Sequence, residues 1–125
     1  MDERGFEKIK GWQLSREFRR EIYKITKSFP KEELYCLTLQ IRRAAISIHS
    51  NIAEGYGRYN FQENIQFCRI ARGSLEEVLD QLYVALDEGY INKELHLTLY
   101  ANGKKIEKAI NGYISFLKNQ QLSYK

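Results

Sequence analysis

Residues 37–57 read LTLQIRRAAISIHSNIAEGYG, and the fold is decided by how this stretch is read. Leu37, Ile41, Ala45, Ile48 and Ile52 recur at spacings of three and four, with Leu34 one step earlier, so they fall on one face of a helix. A second line at the same spacing is polar: Gln40, Arg43, Ser47, Asn51 and Glu54. Small residues gather beside it at Ala44, Ala45, Ser50 and Ala53. The apolar stripe needs a core to bury in. The polar line fits either a tight, hydrogen-bonded contact with a neighbouring helix or a surface used against another subunit or a ligand. Gly55-Tyr56-Gly57-Arg58-Tyr59-Asn60 then ends the helix.

Two further breaks divide the chain. Pro30 cannot continue a helix and restricts Phe29 before it, while Gly89-Tyr90-Ile91-Asn92 reads as a Gly stop followed by an Asn start. Asn60 with Glu63 three residues on has the form of a capping box. The breaks predict helices over about residues 8–28, 33–55, 60–88 and 92–119. The first carries Leu14, Phe18, Ile22, Ile25 and Phe29 as its stripe. The third carries Phe61, Ile65, Cys68, Leu75, Leu79, Leu82 and Leu86, interrupted by Arg72, and the fourth carries Leu95, Leu99, Ile106, Ile110, Tyr113 and Leu117. Four stripes joined by short links predict an all-α, antiparallel up-down-up-down four-helix bundle as one domain over residues 1–125. Ala71-Arg72-Gly73-Ser74 repeats the small-and-polar mix of the second helix. Because Gly in mid-helix costs about 1 kcal/mol against Ala, Gly73 is expected to permit close backbone approach.

Composition agrees. The chain has 125 residues, 43% of them hydrophobic and 29% charged, which is a globular balance for a single domain. One Pro, eight Gly and two Val argue against a β-rich fold. The longest run free of Asp, Glu, Lys and Arg is residues 44–53, well short of the roughly 20 residues that cross a bilayer, so no membrane role is expected. The start, MDERGFEKIK, is charged throughout and has no apolar stretch, so no secretory signal is expected there. Cys36 and Cys68 stand far apart among apolar neighbours, and His49 and His96 lie near neither. They read as two reduced, buried thiols with no metal site.

No catalytic pattern emerges. The Gly-rich turn at residues 54–58 has neither a following Lys-Ser/Thr pair nor a preceding strand, so it cradles no phosphate. His49 and Ser50 are adjacent on a helix and point apart. Glu54 precedes Arg58 by four residues and would pair with it if the helix persists that far. The chain is therefore expected to be no enzyme and to need no cofactor.

Charge is uneven. The chain is +4 overall, with residues 1–31 at +4, 59–91 at −4 and 92–125 at +4. Arg16, Arg19, Arg20, Lys24 and Lys27 on the first helix, with Lys104, Lys105 and Lys108 on the fourth, are the candidate contacts to a phosphate backbone. Glu76, Glu77, Asp80, Asp87 and Glu88 make the far half of the third helix acidic, and opposed charges of this kind also suit head-to-tail contacts between copies.

Residues 40–55 resemble the signature of the bacterial 23S ribosomal RNA intervening-sequence proteins, also called S23 ribosomal proteins. Trp12, Tyr23, Phe29-Pro30, Arg58, Phe67, residues 70–77 and Gly89-Tyr90-Ile91 extend the likeness over about residues 6–118. The resemblance implies a compact bundle assembled as a homopentameric ring in the bacterial cytoplasm. It implies that Gln40, Arg43, Ser47, Asn51, Glu54, Gly55, Arg58, Gly73, Ser74 and Glu77 serve fold or assembly. RNA or DNA is the partner expected from the basic helices. The alternative is a protein–protein scaffold, such as the reverse-transcriptase accessory proteins of diversity-generating retroelements, which resemble the same bundle. Those proteins form a related branch, and the full Ser47-to-Gly55 motif is typical of the intervening-sequence branch instead.

Overall fold

A computed structural model describes residues 5–123; the outermost residues, with Asp2, Glu3, Arg4 and Lys125 of the charge pattern, lie outside the described residues. Four helices follow in order: α1 (Lys10–Thr26), α2 (Leu37–Tyr56), α3 (Phe61–Asp87) and α4 (Lys93–Ser123). Short 3-10 turns at Phe6–Lys8 and Lys31–Glu33 precede α1 and α2. Each helix packs on two others: α1 on α2 and α4, and α3 on α2 and α4, without diagonal contact. Short connections between neighbours make successive helices antiparallel, the arrangement the four stripes predict.

The core is built from those stripes. Phe18 and Ile22 of α1, Ile41, Ile48 and Ile52 of α2, Leu75 and Leu82 of α3, and Leu99, Ile106 and Ile110 of α4 are all essentially fully buried. Each contributes roughly 1.5–3 kcal/mol by leaving water. Arg72 interrupts the α3 stripe without entering the core. Ala71 takes the buried place, and Arg72 Nη1 instead donates to Asn111 Oδ1 of α4 at 2.7 Å.

Helix ends follow local chemistry. Asn60 Oδ1 accepts from the Glu63 N–H at 3.1 Å and starts α3. Gly89 adopts φ +77°, while the Tyr90 N–H reaches back to the Ala85 carbonyl at 2.8 Å and the Gly89 N–H to Leu86 at 3.1 Å. That is a left-handed cap closing α3. Asn92 Oδ1 then accepts from the Leu95 N–H at 2.8 Å to open α4. The end of α1 is tied from a neighbour, because Arg42 of α2 donates to Thr26 Oγ1 at 2.8 Å and to the Tyr23 carbonyl at 3.4 Å.

Four expectations are corrected. The second helix begins at Leu37, not near residue 33, because Cys36 at φ −121° and ψ −103° is outside helical geometry and residues 31–33 form the separate 3-10 turn. This leaves Leu34 47% exposed, off the stripe. Cys36 is exposed by the same turn, and only Cys68 is a buried thiol, its pKa pushed up to about 11 by burial. Gly73 makes no close approach within the chain: a Cβ built on it would meet nothing within 4 Å. The close approaches belong to Gly55 and Gly103, where a Cβ would lie 2.7 Å from Asn64 Oδ1 and 2.6 Å from Leu79 Cδ2. α4 also runs a turn beyond its expected end, to Ser123.

Candidate functional site

The basic residues of α1 occupy its outer surface. Arg16, Arg20, Lys24 and Lys27 are exposed, and Arg19 is half-buried against α2. Arg16 lies 5.7 Å from the Trp12 ring centroid and Arg19 lies 5.8 Å from that of Tyr23, so two guanidinium groups are steadied on aromatic faces. Arg19 Nε also donates to His49 Nε2 of α2 at 3.4 Å. Burial, then the charges of Arg19 and Arg16, hold the His49 pKa below its ordinary value. Arg20 pairs with Glu17 at 3.3 Å, while among the described residues Arg16, Arg19, Lys24 and Lys27 have no ion-pair partner within 4.0 Å. Glu21 accepts from Asn102 Nδ2 of α4 through both of its carboxylate oxygens at 3.2 Å, and with Glu17 it lines the shallow groove that holds Arg19, Arg20, Lys24 and Lys27.

The three α4 lysines do not form one surface with this row. Lys104 bonds Glu107 at 3.2 Å and lies near Glu76 of α3, and its pKa is raised chiefly by the Glu107 hydrogen bond. Its charge is largely neutralised on the side away from α1. Lys105 lies in the α1–α4 groove with Leu14, Phe18 and Glu21, and Lys108 is exposed. The structure thus gathers Arg16, Arg19, Arg20, Lys24 and Lys27, places Lys105 alongside, and separates Lys104.

Between α2 and α3 runs a polar seam. Ser47 Oγ lies 2.8 Å from Ser74 Oγ across the helices, and Asn51 Nδ2 donates to the Ser47 carbonyl at 2.8 Å and to its hydroxyl at 2.9 Å. The side chains of Gln40, Arg43 and Glu77 border the same shallow cleft and make no hydrogen bond or ion pair among the described residues. Glu54 does reach Arg58, at 3.7 Å, because α2 persists to Tyr56. Arg58 also lies 4.9 Å from the Phe67 ring centroid. The seam thus joins Ser47, Asn51 and Ser74 in direct bonds, packs Gly55 tightly against Asn64, and leaves Gly73 on open surface.

No group of three or more His, Cys, Asp or Glu side chains among the described residues is placed to hold a metal ion. No helix among them is long and apolar enough to cross a membrane. Sequence reasoning missed the aromatic and cationic residues at one end of the bundle, Lys8, Lys10, Tyr56, Tyr113 and Phe116, because they come from distant parts of the chain. It also missed Tyr90 Oη donating to Glu33 Oε2 at 2.7 Å.

These features define an all-α four-helix bundle with a basic outer helix and a hydrogen-bonded polar seam. The chain belongs to the 23S rRNA-intervening sequence protein family, whose family model matches residues 7–112. The crystal structure of a protein of unknown function from the S23 ribosomal protein family of Bacteroides thetaiotaomicron is similar in fold. It aligns with a TM-score of 0.77 at 24% identity, covering 84% of this chain and 95% of that one. No curated protein matches the chain.

Proposed function

We propose that the chain is a non-enzymatic cytoplasmic protein that assembles into a ring and binds RNA or DNA on the outer face of α1. The observation that carries this reading is the row of Arg16, Arg19, Lys24 and Lys27, four cations without an ion-pair partner among the described residues. An unneutralised cation row favours phosphate contact by releasing counterions, without reading sequence. Assembly amplifies the effect: five copies of a subunit at +4 carry about +20, so weak single-subunit contacts add along one strand.

The charge reversal Arg20→Glu, Lys24→Glu, Lys27→Glu tests it, since all three side chains are exposed and none belongs to the core. Fluorescence anisotropy with a labelled oligoribonucleotide over a salt series should show binding weakened by an order of magnitude or more at low salt. The salt slope should also fall, by about 0.7 per phosphate contact removed. Unchanged affinity in a variant with an unchanged melting curve would overturn the assignment.

A protein-scaffold reading has one observation in its favour. Gln40, Arg43 and Glu77 stand unpaired around the α2–α3 cleft, next to the open surface at Gly73. Light scattering on nuclease-treated protein separates the two readings: a protein partner that survives nuclease favours the scaffold.

A further inference from the structure

At the end of the bundle where α1 begins, α2 finishes and α3 starts, a cavity of about 500 Å³ opens to solvent. That volume falls within the roughly 300–1,000 Å³ of small-molecule sites. Its walls are aromatic. Tyr56 and Tyr113 are half-buried in it, and the Tyr113 and Phe116 rings stand 6.2 Å apart and nearly parallel at 13°. Phe116 remains 53% exposed and Tyr59 wholly exposed at the same site, large apolar surface that folding leaves uncovered.

Among the described residues, charge at this cavity has a single sign. Lys8, Lys10 and Arg58 line it, and no Asp or Glu does so among the described residues. Lys8 Nζ lies 5.5 Å from the Tyr56 ring centroid, and neither Lys8 nor Lys10 has an ion-pair partner among the described residues. Arg58 shares its charge with Glu54 at 3.7 Å. At the cavity's base, buried Asn64 donates through Nδ2 to the Tyr113 hydroxyl at 3.3 Å, which leaves the Tyr113 O–H hydrogen free to donate. α1 starts at the same place behind Ile9, which gives no side-chain cap, so the first N–H groups of that helix add positive potential.

Aromatic walls hold a flat ring by stacking, and several cations converging without a carboxylate favour a multiply charged anion. We infer that this cavity is a binding site for a nucleoside monophosphate unit, its base against Tyr56, Tyr113 and Phe116 and its phosphate among Lys8, Lys10 and Arg58. A free nucleotide and the phosphorylated end of a single strand present this same unit. The site is separate from the α1 face and does not depend on the reading given to that face.

Isothermal titration of the full chain with adenosine monophosphate, adenosine and inorganic phosphate tests the inference. Adenosine monophosphate should bind at least about tenfold tighter than either fragment. The double variant Lys8→Gln, Lys10→Gln and the single variants Tyr113→Phe and Phe116→Ala should each weaken it severalfold. Lys8, Lys10 and Phe116 are exposed, so the variants that change them should keep the wild-type melting curve. Arg20→Glu, Lys24→Glu, Lys27→Glu should leave nucleotide affinity intact, which keeps a failure here distinct from a failure at α1. A short oligonucleotide with and without an end phosphate identifies the source: tighter binding than the mononucleotide assigns the site to a strand end, and equal binding to the free nucleotide. No heat with adenosine monophosphate at millimolar concentration, or binding indifferent to both the lysine and the Phe116 variants, would overturn the proposal.

Discussion

Gly55 and Gly73 are both helical glycines beside the α2–α3 seam, yet their surroundings are opposite. A Cβ on Gly55 would stand 2.9 Å from Phe67 Cβ and 2.7 Å from Asn64 Oδ1. Phe67 Cβ is fixed to the α3 backbone, so the two helices would have to part. A Cβ on Gly73 meets nothing. Gly55→Ala should therefore destabilise the chain by about 1–3 kcal/mol through overpacking, even after the helix-propensity gain. Gly73→Ala should stabilise it by up to about 1 kcal/mol. Urea unfolding of the two variants checks both signs, and a destabilised Gly73→Ala would mean that another subunit covers this surface in solution. The difference was partly legible. Gly55 continues the spacing of Ile48 and Ile52 and so falls on the buried stripe, whereas Gly73 falls between the α3 stripe positions Ala71 and Leu75. Residue type alone suggests a close approach at Gly73, but its place on the helix puts it on open surface.

At the scale of elements, the ends set by adjacent residues were legible and those set by distant ones were not. Asn60 and Gly89 act within one turn of themselves, so the sequence shows them directly. Asn60→Ala should cost about 1 kcal/mol, since α3 would lose its N-terminal acceptor. Gly89→Ala should cost about the same, because φ +77° burdens any Cβ. Thermal melts of the two single variants measure these costs, and a Gly89→Ala chain as stable as wild type would contradict the left-handed cap. The start of α2 was misplaced for a different reason. Glu33 is a fair helix former, but here its Oε2 accepts from Tyr90 Oη at 2.7 Å and its Oε1 from the Leu37 N–H at 3.4 Å. A carboxylate engaged with a tyrosine 57 residues away holds the turn at residues 31–33 apart from the helix. No window of local sequence contains that partner. The nucleotide cavity was hidden in the same way: Lys8, Tyr56, Asn64 and Tyr113 share no motif and meet only once the four helices have packed.

Across the whole molecule, packing brings the basic α1 against α2, and His49 reports on that contact. Its Nε2 can accept from Arg19 Nε only while unprotonated, at 3.4 Å, and Trp12 stands edge-on with ring centroids 6.3 Å apart. Burial and the charges of Arg19 and Arg16 hold its folded pKa below the ordinary 6.5, whereas in the unfolded chain it titrates normally. The unfolded state therefore binds more protons between the two pKa values, and stability rises with pH there. The contribution is fully present above about pH 6.5 and is lost as pH falls towards the folded pKa. Carboxylates with shifted values, Glu21 and Glu76 raised and Glu107 lowered, start from an ordinary 4.5 and act mainly at lower pH. Melting temperature should thus decline between about pH 7 and pH 5.5, and His49→Gln should remove most of that decline while keeping a polar group beside Arg19. An equally steep decline in His49→Gln would show that the α1–α2 contact is not what senses the proton. Binding should be linked to the same group. Phosphate placed on Arg16 and Arg19 lowers the positive potential around His49, so nucleic acid on α1 should raise the histidine pKa and bind more tightly as pH falls through the window.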